Sequence, residues 1–103
     1  MEQLQNIFQY ENFKVRTISK NGEIWFVAKD VCDILGIKNS RDALSRLSND
    51  DFFVAPTDTL RGKQKLAHVN EFGLYNLIFE SRNKETKDFK RWVTHEVLPS
   101  IYK

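Results

Sequence analysis

The run from Val27 to Leu47 constrains this chain most, because it reads as two short amphipathic helices joined by a glycine turn. Ala28, Val31, Ile34 and Leu35 recur at helical spacing. Gly36 supplies a left-handed position after the last turn, and Ile37 can pack back onto the helix it follows. Asn39 then caps a second helix, with Asp42 placed to return the bond and Ala43, Leu44 and Leu47 forming the inward side. This is the outline of a helix-turn-helix. Its outward residues are Ser40, Arg41, Asp42, Ser45, Arg46 and Asn49, types that bond phosphates and base edges. Lys38 and Arg41 also stand at the positive end of a helix dipole, which is unfavourable unless an anion lies near. A plain packed hairpin, with Asp42 offsetting the charge, has the same outline.

A chain of 103 residues suits one domain, residues 1–103, with one core that its 8 phenylalanines, 3 tyrosines and 2 tryptophans can fill. The net charge of +2 creates no global field toward nucleic acid, so any such contact must rest on local placement. Arg61, Lys63 and Lys65 form an acid-free basic trio, and Lys87, Lys90 and Arg91 crowd a later segment. Cys32 is the single cysteine, which rules out an internal disulfide and makes a reducing cytosol the default. No apolar run approaches the roughly 18 residues a bilayer crossing needs, and the N-terminus lacks a secretory pattern. A cytoplasmic location, with no membrane partner, is the expectation.

Ahead of the helix pair, β-branched and aromatic runs at Phe13–Ile18 and Glu23–Val27 flank Ser19-Lys20-Asn21-Gly22. Asn-Gly is a strong signal for a type I′ hairpin, since both central residues need positive φ. A further strand at Ile7–Tyr10 would turn at Glu11-Asn12. After the helix pair, Phe52–Ala55 and Gln64–Val69 read as a second hairpin around a polar Pro56–Lys63 segment, with its tip near Leu60-Arg61-Gly62-Lys63. Such a ribbon occupies the position of a wing, although an ordinary solvated loop has the same composition. Asn70 caps a helix from Glu71 to about Ser81, apolar over nearly its whole circumference and so suited to the interior or a subunit contact. Asn83 caps a last helix whose apolar stripe is Phe89, Trp92, Val93 and Val97, and Pro99 stops or kinks it at Leu98. The expected fold is α+β: a small antiparallel sheet of hairpins, a helix-turn-helix-like pair and two C-terminal helices.

Nothing in the chain resembles an active site. His68 falls in an expected strand and His95 near a helix end, without a cysteine or acid at metal-ligand spacing. No Gly-x-Ser-x-Gly elbow, Cys/His signature or phosphate-cradling glycine loop is present, so neither an enzyme nor a cofactor is expected. Trp25 and Trp92 sit in apolar periodic settings that suit core packing better than base stacking.

Several blocks together resemble the Bro N-terminal domain of phage and prophage antirepressors and baculovirus Bro proteins. They are Ile24–Cys32 (Ile-Trp-Phe-Val-Ala-Lys-Asp-Val-Cys), Leu35-Gly36, Asn39–Leu44, Asn70–Tyr75 and Phe89–Ile101. The resemblance runs from about Phe8 to the last residue and implies an α+β domain associated with DNA binding and gene regulation. It also implies that this is a fragment of a longer regulator, since relatives continue into a separate C-terminal domain. Two departures stand out. Arg61-Gly62-Lys63-Gln64 keeps one glycine where relatives often carry two, and Phe72 replaces a usual small residue, adding a core or interface contact.

The reading that follows is a double-stranded-DNA-binding module of a phage-type antirepressor or transcriptional regulator. Arg41, Ser45 and Arg46 form its reading face, Lys38 and Ser40 join the DNA-binding set beside them, and Arg61, Lys63 and Lys65 on the ribbon with Lys87, Lys90 and Arg91 on the last helix grip phosphates. The alternative is an interaction module that docks on a phage repressor without touching DNA, which an exposed patch of Phe72, Leu77 and Phe79 would favour. A homodimer is compatible with either.

Overall fold

The computed structural model describes residues 4–59, 61–81 and 86–101. Three strands open the chain: β1 (Leu4–Tyr10), β2 (Phe13–Lys20) and β3 (Glu23–Val27). They are followed by α1 (Ala28–Leu35) and α2 (Ser40–Ser45), a 3₁₀ turn at Asn49–Asp51, and the hairpin β4 (Phe52–Thr59) and β5 (Gly62–Val69). Then come α3 (Glu71–Glu80) and α4 (Thr86–Trp92), which runs through a π-helical turn at Val93–Val97 into a last α-helical turn at Leu98–Ile101. The strands form one antiparallel five-stranded sheet in the order β1-β2-β3-β5-β4. With its helices it is an α+β fold.

Local chemistry explains the turns. Asn21 and Gly22 have φ of 53° and 80°, the pair of positive values that a type I′ turn demands. Gly36 ends α1 in the left-handed region, with its N–H and that of Ile37 both donating to the Cys32 carbonyl. Asn39 and Asn70 cap α2 and α3, accepting from the backbone N–H of Asp42 at 3.0 Å and Gly73 at 2.9 Å. The expected cap at Asn83 lies outside the described residues.

The second hairpin differs from expectation. Pro56–Thr59 are not loop: β4 pairs with β5 continuously from Phe52 opposite Val69 to Thr59 opposite Gly62. Pro56 is tolerated because β4 is the sheet's outer strand, where a missing N–H can face away from the ladder. Only Phe26 opposite Val69 and Val27 opposite His68 join this ribbon to β3.

Pro99 does not end the helical path. Leu98 keeps helical angles and donates its N–H to the carbonyl of Val93, five residues back. The widened turn gives the proline ring room that a regular α-helix would deny it. The Thr94 hydroxyl donates to the Lys90 carbonyl at 2.9 Å, and His95 Nδ1 lies 3.0 Å from that of Arg91, so side chains satisfy carbonyls at the irregularity.

The core packs Val15, Ile24, Phe26 and Val69 of the sheet against Val31, Ile34 and Leu35 of α1, Leu74 and Leu77 of α3, and Phe89, Val93 and Val97 behind them. Trp92 rests half-buried on this core, its ring 5.0 Å from Tyr10 and 5.9 Å from Phe89. By register, Ile18, Trp25, Phe53 and His68 share the other side of the strands. There Phe53 stacks flat on His68 and meets Trp25 edge-on, with Lys20 Nζ 4.1 Å above its ring. Trp25 thus packs, as its apolar setting suggests, but outside the main cluster.

Candidate functional site

Three anchors fix the helix pair. At the start of α1, Asp30 accepts from the Arg16 backbone N–H at 3.0 Å and from its Nε and Nη2 at 2.9 Å each. This forked pair ties α1 to β2, and hydrogen bonding to Asp30 holds the Arg16 guanidinium even above its usual high pKa. At the end of α1, the Ser81 hydroxyl donates to the Leu35 carbonyl at 2.8 Å. At the C-terminal end of α2, the capping residue Arg46 donates to Asp42 Oδ2 at 2.6 Å and to Glu80 Oε2 at 3.2 Å, joining α2 to α3.

Arg46 is thus held by carboxylates on two elements while its side chain stays 56% exposed. The same pairing occupies Asp42, so its carboxylate pairs with Arg46 instead of closing the capping box. Ser45 donates its hydroxyl proton to the Asp42 carbonyl at 2.6 Å, leaving only an acceptor oxygen outward. The helix-Gly-helix outline is present, α2 spans six residues, and its Ser40, Arg41 and Ser45 line a groove.

The groove, about 620 Å³, runs between the helix pair and the ribbon. Ile37, Leu44, Phe52, Val54 and Ala67 give it an apolar lining. Lys29 of α1, Lys38 of the link, Arg41 of α2 and Lys65 of β5 border it, with Asp33 as the one acid and Ser40 and Ser45 as neutral polar groups. None of these four cations is ion-paired among the described residues, although Arg16 and Arg46 are. Of the sequence candidates, the structure therefore brings Lys38, Ser40, Arg41, Ser45 and Lys65 together. Lys29 joins them unforeseen; its signal was its place one turn before Asp33 on the outward side of α1.

Arg61 and Lys63 are exposed at the ribbon tip, where the Arg61 N–H donates to the Thr59 hydroxyl and that hydroxyl donates to the Gly62 carbonyl. Thr59 borders a second hollow with Ile7, Phe13, Arg16, Asp30 and Asp33, so the ribbon leans across toward β1 and β2 instead of reaching outward. Lys87, Lys90 and Arg91 are exposed on α4 and do not reach the groove. Lys90 lies instead beside Tyr75 and Phe79 of α3. Leu77 is buried, so the expected apolar patch reduces to Phe72 and Phe79.

Neither histidine has ligand geometry, and the described residues contain no cluster of three or more His, Cys, Asp or Glu that could hold a metal. His68 is 1% exposed and its Nδ1 meets the Leu66 carbonyl at 3.0 Å. Burial pushes its pKa below the usual value, the nearby Arg16 and Lys20 add to that, and the Leu66 carbonyl and Asp30 partly oppose it. Cys32 lies beneath the groove with its thiol pushed up to about 11 by burial.

A profile described as "BRO family, N-terminal domain" matches residues 14–99, from the second strand through the proline of the last helix. The chain belongs to the Bro-N domain family. Among its relatives, an uncharacterized protein of Haemophilus influenzae (strain Rd) is 41% identical over 98 residues, covering 93% of this chain and 49% of the relative. Two proteins of Invertebrate iridescent virus 6 named as Bro-N domain-containing, 289L and 201R, are 33% and 31% identical, each covering 77% of this chain and 24% of the relative. This Bro-N chain thus spans about half of the bacterial relative and about a quarter of the viral ones. No solved structure matches it. Bro-N membership suggests a phage- or virus-type regulatory domain, and no helix among the described residues is long and apolar enough to cross a membrane.

Proposed function

We propose that this Bro-N domain is the DNA-binding module of a phage-type antirepressor or transcriptional regulator, and that DNA lies along the groove between the helix pair and the ribbon. One observation carries the reading: Lys29, Lys38, Arg41 and Lys65 converge from α1, the link, α2 and β5 onto a single groove, without an ion pair among the described residues, around one acid. Converging unpaired cations repel one another, and a polyanion turns that repulsion into attraction while releasing counterions. Arg41 has the fork geometry for base edges, whereas Lys29, Lys38 and Lys65 act as point charges on phosphates. Arg61 and Lys63 extend the phosphate contact at the ribbon tip. Arg46 positions α2, and the α4 cations take no part.

A salt titration of binding to random duplex DNA tests this. Lys38→Ala and Lys65→Ala each reduce the slope of log affinity against log salt by about 0.9, while Lys87→Ala leaves it unchanged. Arg41→Ala relaxes sequence preference, whereas the lysine variants weaken all sequences alike. Absence of retention at low salt, or equal slopes for all variants, refutes the reading. The apolar lining favours a second reading, since a sugar-phosphate backbone gains little from Ile37, Leu44, Phe52 and Val54. In that reading the groove docks a repressor protein, and salt-insensitive binding to a repressor with no retention on DNA establishes it.

A further inference from the structure

The outer side of α3 carries Phe72, 66% exposed, and Phe79, 87% exposed, on a helix whose inner residues Leu74 and Leu77 are fully buried. The two rings are seven residues, nearly two turns, apart and so share one stripe, with Tyr75 and Asn76 midway between them. The ten residues Glu71-Phe72-Gly73-Leu74-Tyr75-Asn76-Leu77-Ile78-Phe79-Glu80 read almost the same from either end: Glu mirrors Glu, Phe mirrors Phe, and Leu74 mirrors Leu77 about the Tyr75–Asn76 midpoint. A two-fold contact sets each residue i against j and j against i, so an antiparallel crossing at that midpoint sets Phe72 against the partner's Phe79, an aromatic pair made twice.

We infer that this stripe of α3 is the contact surface for a second copy of the same chain, the two helices crossing antiparallel at Tyr75 and Asn76. Phe72 of each protomer then rests on the partner's Phe79, and both rings leave water. The charges agree with a second copy. Lys90 borders a hollow of about 580 Å³ with Tyr75 and Phe79, so the partner's Glu71, next to the partner's Phe72 and still charged while its Oε1 accepts from its own Tyr75 hydroxyl at 3.1 Å, arrives beside that ammonium, and symmetry makes the pair twice. Glu80, which stands opposite the partner's Glu71, already has its charge held by Arg46 within its own protomer. The exposed area of the two phenylalanines is roughly 300 Å² per protomer, below the approximately 800 Å² per partner of a standard interface. The contact is therefore weak and reversible, and depends on concentration. It is independent of the groove, so failure of DNA binding leaves it standing and its failure leaves DNA binding untouched.

Sedimentation velocity over a range of micromolar concentrations tests the inference. The 12.2 kDa chain shifts toward twice its mass as concentration rises. Phe79→Glu and Phe72→Glu stay monomeric with an unchanged circular dichroism spectrum, as expected at exposed positions. Asn76→Cys in a Cys32→Ser background becomes a disulfide-linked dimer under mild oxidation, because the new thiol lies next to the symmetry axis. A wild-type chain that stays monomeric throughout overturns the inference. So does a dimer that survives both glutamate substitutions, or one whose Asn76→Cys variant does not cross-link.

Discussion

Replacing Gly73 with alanine tests how the chain passes from the helix pair into the ribbon. Gly73 lies in the first turn of α3, where glycine is a poor helix former, and alanine alone would add about 1 kcal/mol of helix propensity. A Cβ at that position falls 2.8 Å from the Asp51 carbonyl oxygen and 3.0 Å from Val69 Cβ. The carbonyl is backbone, so no side-chain rotation relieves the clash. It also accepts the Asn70 N–H at 3.1 Å, while Asn70 Nδ2 donates to Asp51 Oδ1 at 3.2 Å and Asn70 Oδ1 caps Gly73. Moving Asp51 disturbs the two bonds it accepts from Asn70, through Asn70 the cap on Gly73, and with them the start of β4, one side of the groove. Overpacking of this kind costs roughly 1–3 kcal/mol, and the strained cap adds about 1 more. Net of the propensity gain, Gly73→Ala destabilises by about 1–3 kcal/mol. For a domain of this size that lowers the melting temperature by about 5 °C or more. Urea unfolding with an unchanged m-value measures it. Equal or greater stability would refute the close approach of α3 to the Asn49–Asp51 turn.

His68 makes stability depend on pH. Its pKa is lowered in the folded state, so unfolded chains take up a proton below about pH 6.5 that folded chains refuse. Stability is therefore full above that pH and falls as pH drops through the window between the unfolded and folded values. His68→Phe, keeping the stack on Phe53, flattens urea midpoints measured between about pH 5.5 and 7, and an unaltered slope would show that His68 is not buried neutral. Phe89→Ala, at a fully buried ring, costs about 3–5 kcal/mol in chemical unfolding. Trp92→Ala, at a half-buried one, costs less, and the reverse order would contradict the fuller burial of Phe89. With its thiol pushed up to about 11, Cys32 resists iodoacetamide at neutral pH until the chain unfolds, so rapid labelling under native conditions would contradict its burial.

What was legible in the sequence was what a few neighbouring residues settle among themselves. Asn21-Gly22, Gly36, Asn39 and Asn70 each act within about four positions, through backbone angles or a cap, and each is found in its expected role. Hydrophobic period likewise gave the inward sides of α1 and α4. Pairings across long stretches of chain were not legible. Asp30 meets Arg16 fourteen residues away, Arg46 meets Glu80 thirty-four away, and no local pattern distinguishes those charges from solvated ones. The extended Pro56–Thr59 likewise became strand only because β4 is an outer strand, which is a property of the sheet.

The same division holds for the groove and for the outer side of α3. The sequence alone determined that Lys38, Ser40, Arg41, Ser45 and Lys65 are polar and unsuited to the core, and that α3 has more apolar surface than one side can bury. Tertiary structure decided which of these groups meet. The Arg16–Asp30 fork and the two-residue seam between β3 and β5 set the ribbon beside the helix pair, bringing Lys29 into the groove, while Arg46 pairs with Glu80 of α3 and does not line it. Charge is fixed residue by residue along the chain, but whether a charge is available depends on what the fold places within a few ångströms of it.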